Sequence, residues 1–227
     1  MRSQSVVSLD PIDRSRKQQD SLFARFFKTR HFGGKRGDFP DPYGHYLFVG
    51  KQRMGKTASM CWYYDRLYKK YKKQGKEIIT YSNLGFGLPL SMKTLHDLIV
   101  QIQFDKNKVY FFLIDEIQSY FPKDTKNREL RDMIDKLTVD VSQLGKRQID
   151  VFSTAPVYGR LNKNLREQCL YMVDCRRSFF TKKFVNDFIE GDDIICDDLG
   201  RWSGIPKFIY VHGLAHIDYD THKLITE

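Results

Sequence analysis

The sequence predicts an α/β fold: a central, mostly parallel sheet with helices on both faces, preceded and followed by extensions. Three observations carry that expectation. From Tyr46 onward, short apolar runs alternate with amphipathic stretches of helical period, the pattern of parallel strands joined by helical crossovers. The first run leads into a glycine-containing octapeptide, Gly50-Lys-Gln-Arg-Met-Gly-Lys-Thr57, that opens the first helical stretch. The third run, Val109 to Ile114, is apolar throughout and stops at two carboxylates, Asp115 and Glu116.

Residues 1–44 read as a basic N-terminal extension. Leu22, Phe23, Phe26 and Phe27 share one helical face there, with Arg25, Lys28 and Arg30 beside them. Such a segment is expected to pack on its own domain, with a membrane surface or partner subunit as the alternative. Residues 45–177 form the predicted core. Tyr46–Val49 is its first strand. Thr57–Lys73 is a helix, with Met60, Cys61, Tyr64, Leu67, Tyr68 and Tyr71 at helical spacing and Gly75 as its stop. A second strand (Glu77–Tyr81), a second helix (Met92–Gln103) and the third strand (Val109–Ile114) follow. Leu130, Met133, Ile134, Leu137, Val141 and Leu144 mark one side of a long helix ending near Gly145. Ile149–Ser153 and Leu170–Val173 are the fourth and fifth strands. Residues 178–227 are a less regular C-terminal extension expected to pack on the core. In it, Phe208–Val211 reads as a strand of a small antiparallel addition.

The chain has 227 residues with 38 Lys and Arg against 28 Asp and Glu, a surplus of ten positive charges. That surplus points to a polyanionic partner, nucleic acid ahead of an anionic membrane surface. A hydrophobic content of 41% argues against wholesale disorder. No apolar run approaches the roughly 18 residues of a membrane helix, and the N-terminus lacks the apolar centre of a signal peptide. A soluble intracellular protein is expected. Its four cysteines show no C-x-x-C spacing and read as reduced, buried side chains. His212 and His216 lie four apart, but no glutamate stands between them, so no metal site is assigned there.

The octapeptide is a full G-x-x-x-x-G-K-T, the loop that cradles phosphates. Its glycines let the backbone of Gly50, Lys51, Gln52, Arg53, Met54 and Gly55 curl so that successive N–H groups converge on phosphate oxygens. The following helix aims its positive end at the same place. Lys56 is the expected partner of the β- and γ-phosphates, and the Thr57 hydroxyl of a magnesium ion. At the end of the third strand, Asp115 is the expected second holder of magnesium. Glu116 is the expected general base that polarises the attacking water.

With the phosphate loop, the segments Phe111–Pro122 (FFLIDEIQSYFP), Leu144–Pro156 (LGKRQIDVFSTAP) and Leu165–Arg177 (LREQCLYMVDCRR) resemble the FtsK–HerA group of P-loop ATPases. Within it the likeness is closest to viral genome-packaging ATPases and to the Zot-like proteins of filamentous phages. The likeness covers roughly residues 46–177. It implies a RecA-like (ASCE) P-loop NTPase that uses ATP and magnesium. The glutamate beside Asp115 implies a parallel sheet in the order 5-1-4-3-2, with the fourth strand inserted between the first and third. Members end the fourth strand in a glutamine that senses the γ-phosphate. Ala155 stands at that position here, so Ser153 or Thr154 is the expected substitute. Arg147 and Arg166 resemble the arginines that reach a neighbour's nucleotide, with Arg160 as a third candidate.

The resemblance implies an oligomeric ATP-driven motor, a ring of six or five copies, that packages viral double-stranded DNA into a preformed capsid without sequence preference. It would work in the host cytoplasm or at the packaging vertex of a virion, against a capsid-vertex or membrane-associated protein. A Zot-like morphogenesis ATPase that exports single-stranded phage DNA is one alternative. A nucleotide-gated assembly or scaffold protein is the other.

Overall fold

The computed structural model describes residues 42–121, 143–178, 183–197 and 201–213, with single positions between 122 and 142. The basic N-terminal segment, most of the predicted long helix after Leu130, and His216 lie outside the described residues.

Strands β1 (His45–Val49), β2 (Glu77–Ser82), β4 (Lys108–Ile114), β5 (Ile149–Ala155) and β6 (Tyr171–Arg177) follow the five predicted apolar runs. Helix α1 (Lys56–Lys73) fills the first crossover and α2 (Met92–Gln101) the next, beyond a two-residue strand β3 (Leu88–Pro89). The short helix α3 (Lys163–Glu167) leads into β6, and β7 (Phe184–Glu190), β8 (Ile195–Cys196), β9 (Trp202–Ser203) and β10 (Phe208–His212) complete the described chain. The eight-stranded sheet runs β10-β7-β6-β1-β5-β4-β2-β3. Its centre, β6-β1-β5-β4-β2, is parallel and has the predicted 5-1-4-3-2 order; β1 and β4 do not touch, because β5 pairs with both. The antiparallel addition consists of β7 on β6 and β10 on β7.

Period-two alternation divides the core into two unlike layers. Tyr46 and Phe48 of β1, Phe111 of β4, Phe152 of β5 and Phe188 of β7 turn to the face covered by α1. There they meet one another and Tyr63 and Tyr64 of the helix in ring pairs such as Tyr46–Phe152 (5.3 Å, edge-on) and Tyr64–Phe111 (5.1 Å, perpendicular). Geometries of this kind add about 0.5–1.5 kcal/mol each beyond burial. Leu47, Val49, Phe112, Ile114 and Val151 turn to the opposite face and pack with Leu95 of α2, Ile117, Leu144, Leu165 and Met172. The basic end of α1, with Lys70, Lys72 and Lys73 in its last turn, complements the negative pole of the helix. No helix among the described residues is long and apolar enough to cross a membrane.

The parallel registers bring the carboxyl ends of the central strands to one edge. Val49 stands opposite Ala155 and Asp174, and Ile114 opposite Ser153. Gly50, Asp115 and Pro156 therefore leave the sheet side by side, where open α/β sheets bind ligands.

Candidate nucleotide site

Two close approaches explain the glycines of the phosphate loop. A Cβ on Gly50 would stand 2.7 Å from the Cys175 carbonyl oxygen of β6, and one on Gly55 would occupy the space of the Phe184 ring. Gly55 also has φ +82°, as the residue before α1. No side chain caps that helix end and no carboxylate sits in its first turn. Its leading N–H groups are thus presented to an anion rather than to a protein acceptor. Arg53, at the loop's outer turn, takes the left-handed conformation (φ +65°) that a side chain disfavours. Lys56 Nζ reaches back to the Lys51 carbonyl at 3.5 Å, so the lysine folds over the loop spanning Lys51, Gln52, Arg53 and Met54.

Beneath the loop lies a hydroxyl–carboxylate hub. Asp115, 6% exposed, accepts at Oδ1 from the Thr57 hydroxyl (3.0 Å) and the Thr154 hydroxyl (2.5 Å). The Thr154 oxygen in turn accepts the Glu116 backbone N–H at 2.9 Å. Glu116 has φ +57°, ψ +54°, a left-handed kink that ends β4 abruptly. Gln118 Nε2 donates to Glu116 Oε2 at 2.5 Å. Two hard oxygens 3.0 Å apart, on Thr57 and Asp115, fit adjacent corners of a magnesium octahedron with metal–oxygen distances of about 2.1 Å.

Thr154 and Ser153 are both candidates to replace the missing glutamine, and the pleat separates them. Thr154 faces α1 and joins the hub. Ser153 faces the other layer, where its hydroxyl meets His45 Nε2 at 2.7 Å while His45 Nδ1 meets Cys169 Sγ at 3.3 Å. Ser153 is thereby corrected to a core residue. Arg147 ends the 3-10 turn Leu144–Arg147 that leads into β5. It stands at the amino end of that strand, about 20 Å of extended chain from Thr154. Arg166 lies on α3 with its guanidinium 5.3 Å over the Tyr158 ring and Nη1 2.9 Å from Cys196 Sγ. Arg147 thus stands at the end of β5 opposite the hub, and the Arg166 guanidinium is held by Tyr158 and Cys196.

Sequence reasoning missed three residues. Asn83, just after β2, clamps Asp115 in both directions: its Oδ1 accepts the Asp115 N–H (2.8 Å) and its Nδ2 donates to the Asp115 carbonyl (2.9 Å). Gln118 was missed with it. The third is Arg176 of β6, which bridges Asp187 and, at 3.6 Å, Asp174. These two carboxylates face one another across β6 and β7. Burial pushes Asp174 up to about 6, against the pull of Arg176 and with help from Asp187. This group borders a 550 Å³ cleft lined by Gly50, Lys51, Met54, Tyr158 and Trp202. A polar residue at the end of a strand was the available signal for Asn83; the others carry none.

The family model described as zonular occludens toxin (Zot) matches residues 64–188, more than half of the chain. The match takes in Asp115, Glu116 and Thr154 but begins after the phosphate loop, which rests on its own geometry. No curated protein matches. Among solved structures, the N-terminal domain of zonular occludens toxin from Neisseria meningitidis is similar, with TM-score 0.51 and 17% identity, over 76% of this chain and 95% of that one. The genome-packaging NTPase of Sulfolobus turreted icosahedral virus 2, in complex with ATP-gammaS, aligns with TM-score 0.46 and 12% identity, over 77% of this chain and 99% of that one.

Proposed function

The chain belongs to the Zot family, and from that premise we propose that it is an oligomeric, ATP-driven motor that moves phage or viral DNA. It is a P-loop ATPase. The observation that carries the reading is the hub in which Thr57 and Thr154 converge on Asp115 and Thr154 also fixes the Glu116 backbone. Such an arrangement joins the phosphate loop, the metal-holding carboxylate and the candidate base in one rigid unit.

Lys56 and the loop N–H groups hold the β- and γ-phosphates of ATP. Thr57 and Asp115 hold magnesium, which when bound supplies charge neutralisation at those phosphates. Glu116 takes the proton of the attacking water as the bond between the γ-phosphorus and the leaving ADP oxygen breaks. A loose phosphoryl-transfer transition state gathers charge on the equatorial oxygens, and an arginine from a neighbouring copy, Arg147 before Arg166, supplies the remaining cation. Copies arranged as a ring supply that contact to every site.

The basic surplus suits a substrate bound through its phosphates, whatever its sequence. Packaging of double-stranded DNA into a preformed capsid is one form of this function, in the host cytoplasm or at a virion vertex. The Zot family match favours a second form, export of single-stranded phage DNA with a membrane-associated partner. Steady-state ATP hydrolysis, measured alone and with duplex or single-stranded DNA, tests the proposal. Stimulation by either DNA is expected. Slow turnover indifferent to both would replace the motor by a nucleotide-gated scaffold.

A further inference from the structure

The exposed side of α1 carries a feature that ATP chemistry does not use. Trp62, Arg66, Lys69, Lys70 and Lys73 recur at intervals of three and four residues and so share one face. Together with Asp65, the only carboxylate of the helix, and Gln74, they line a groove of about 620 Å³. The floor is apolar, made by the Trp62 indole and the aliphatic stems of the long side chains, and the rim is cationic. Trp62 is fixed from below: His212 of β10 stacks on it at 4.5 Å and 12°, and Tyr210 stands 5.9 Å away. The Arg66 guanidinium is placed 5.7 Å from the Tyr210 ring and 5.6 Å from the Tyr63 ring.

We propose that this groove is a track for single-stranded nucleic acid, its phosphates on the row from Arg66 to Lys73 and a base on Trp62. The inference rests on the DNA-motor reading and names the surface and the strandedness. Arg66 to Lys73 spans about 10 Å of helix axis, so the row can meet successive phosphates of one strand. A flat aromatic floor beside a cationic row is the combination that binds unpaired bases without sequence preference, whereas a duplex keeps its bases stacked and offers the floor nothing. An anionic bilayer satisfies the row but has no flat ring to lay on Trp62. The groove is also mechanically close to the ATP site, since Lys56 and Thr57 begin the same 18-residue helix.

The test titrates full-length protein into a fluorescent oligothymidine of about twenty nucleotides, a duplex of equal length, and phosphatidylserine vesicles, across a salt series. Lys69→Gln combined with Lys73→Gln is the informative variant, because Lys69 is largely exposed and, among the described residues, is paired within its own helix, to Asp65. Oligothymidine is expected to bind more tightly than duplex. The double substitution should weaken it about 25-fold at about 0.1 M salt and lower the salt slope by about 1.4, from about 0.7 per phosphate contact. ATP affinity should not change. In a Trp202→Phe background, which leaves Trp62 as the remaining tryptophan of two, oligothymidine should quench emission. Unchanged binding by the double variant, with wild type still binding DNA, would overturn the groove and leave the motor reading intact. Duplex binding as tight as oligothymidine, absence of quenching, or a stronger vesicle interaction lost in the same variant would overturn the single-strand occupant. Wild type that binds no nucleic acid would overturn the motor reading itself.

Discussion

Replacing Thr154 by valine keeps the shape of a fully buried side chain and removes one oxygen, so its consequences can be worked out from the hub. That oxygen donates to the Asp115 carboxylate at 2.5 Å and accepts from the Glu116 N–H at 2.9 Å. A hydrogen bond to a charged group contributes about 1.5–3 kcal/mol net, and a buried N–H left without an acceptor costs about 1–3 kcal/mol. A loss of about 3 kcal/mol is expected, which for a domain of this size moves the urea midpoint down by about 1 M. The left-handed turn at Glu116 loses its anchor at the same time. Turnover should then fall at least about tenfold while ATP affinity, set by the phosphate loop, stays near wild type. Thr154→Ser keeps both bonds and should restore most of each quantity. Ser153→Ala is the control: it breaks the contact with His45 and should lower stability without touching turnover. Urea unfolding and steady-state phosphate release, run on all three variants, give the answer. A Thr154→Val protein with wild-type midpoint and wild-type turnover would refute the hub as the organiser of this site.

Three further outcomes are expected. Glu116→Gln should bind ATP normally and lose at least about a hundredfold in single-turnover hydrolysis, the low end of general-base contributions; a wild-type rate would place the base elsewhere. Arg147→Ala should bind ATP but not turn it over, and mixing it with Glu116→Gln should recover partial activity through sites that combine one intact residue from each; a dead mixture with proven co-assembly would count against an arginine acting across subunits. Burial lowers His45 from 6.5 to about 4, so the native state binds fewer protons than the unfolded chain between those values. The corresponding stability is complete above about pH 6.5 and is lost as pH falls towards 4, about 3 kcal/mol in all. Asp174, raised to about 6, has the opposite slope between its ordinary value and 6. The check is therefore the difference between wild type and His45→Gln in urea unfolding from pH 7 to 4.5, which should narrow on acidification; a constant difference would remove His45 as the cause.

What the sequence made legible follows from how strongly each feature is dictated locally. The apolar runs of β1 and β4 announce buried parallel strands, and the strand order is implied by the family resemblance rather than by any local pattern. β7 was hidden because its buried positions include Asn186 and Asp187. Asn186 is sustained by Ser59 at 2.9 Å and His212 at 2.8 Å, and Asp187 by Arg176, partners that no local pattern reveals. The choice between Ser153 and Thr154 depends on which face of β5 lies under α1. Period two says that they differ, but not which is which. The Asn83 clamp joins residues 32 apart that meet only because β2 and β4 are neighbours.

One strand, β5, carries Thr154 at its carboxyl end and follows Arg147 at its amino end. In a ring where that arginine serves the next copy's nucleotide, every β5 is a rod with one tip in each of two successive catalytic centres. A sheet strand with seven buried residues and partners on both sides resists bending, so a displacement at one tip is delivered to the other. Firing order around such a ring would be inherited from the stiffness of a single strand.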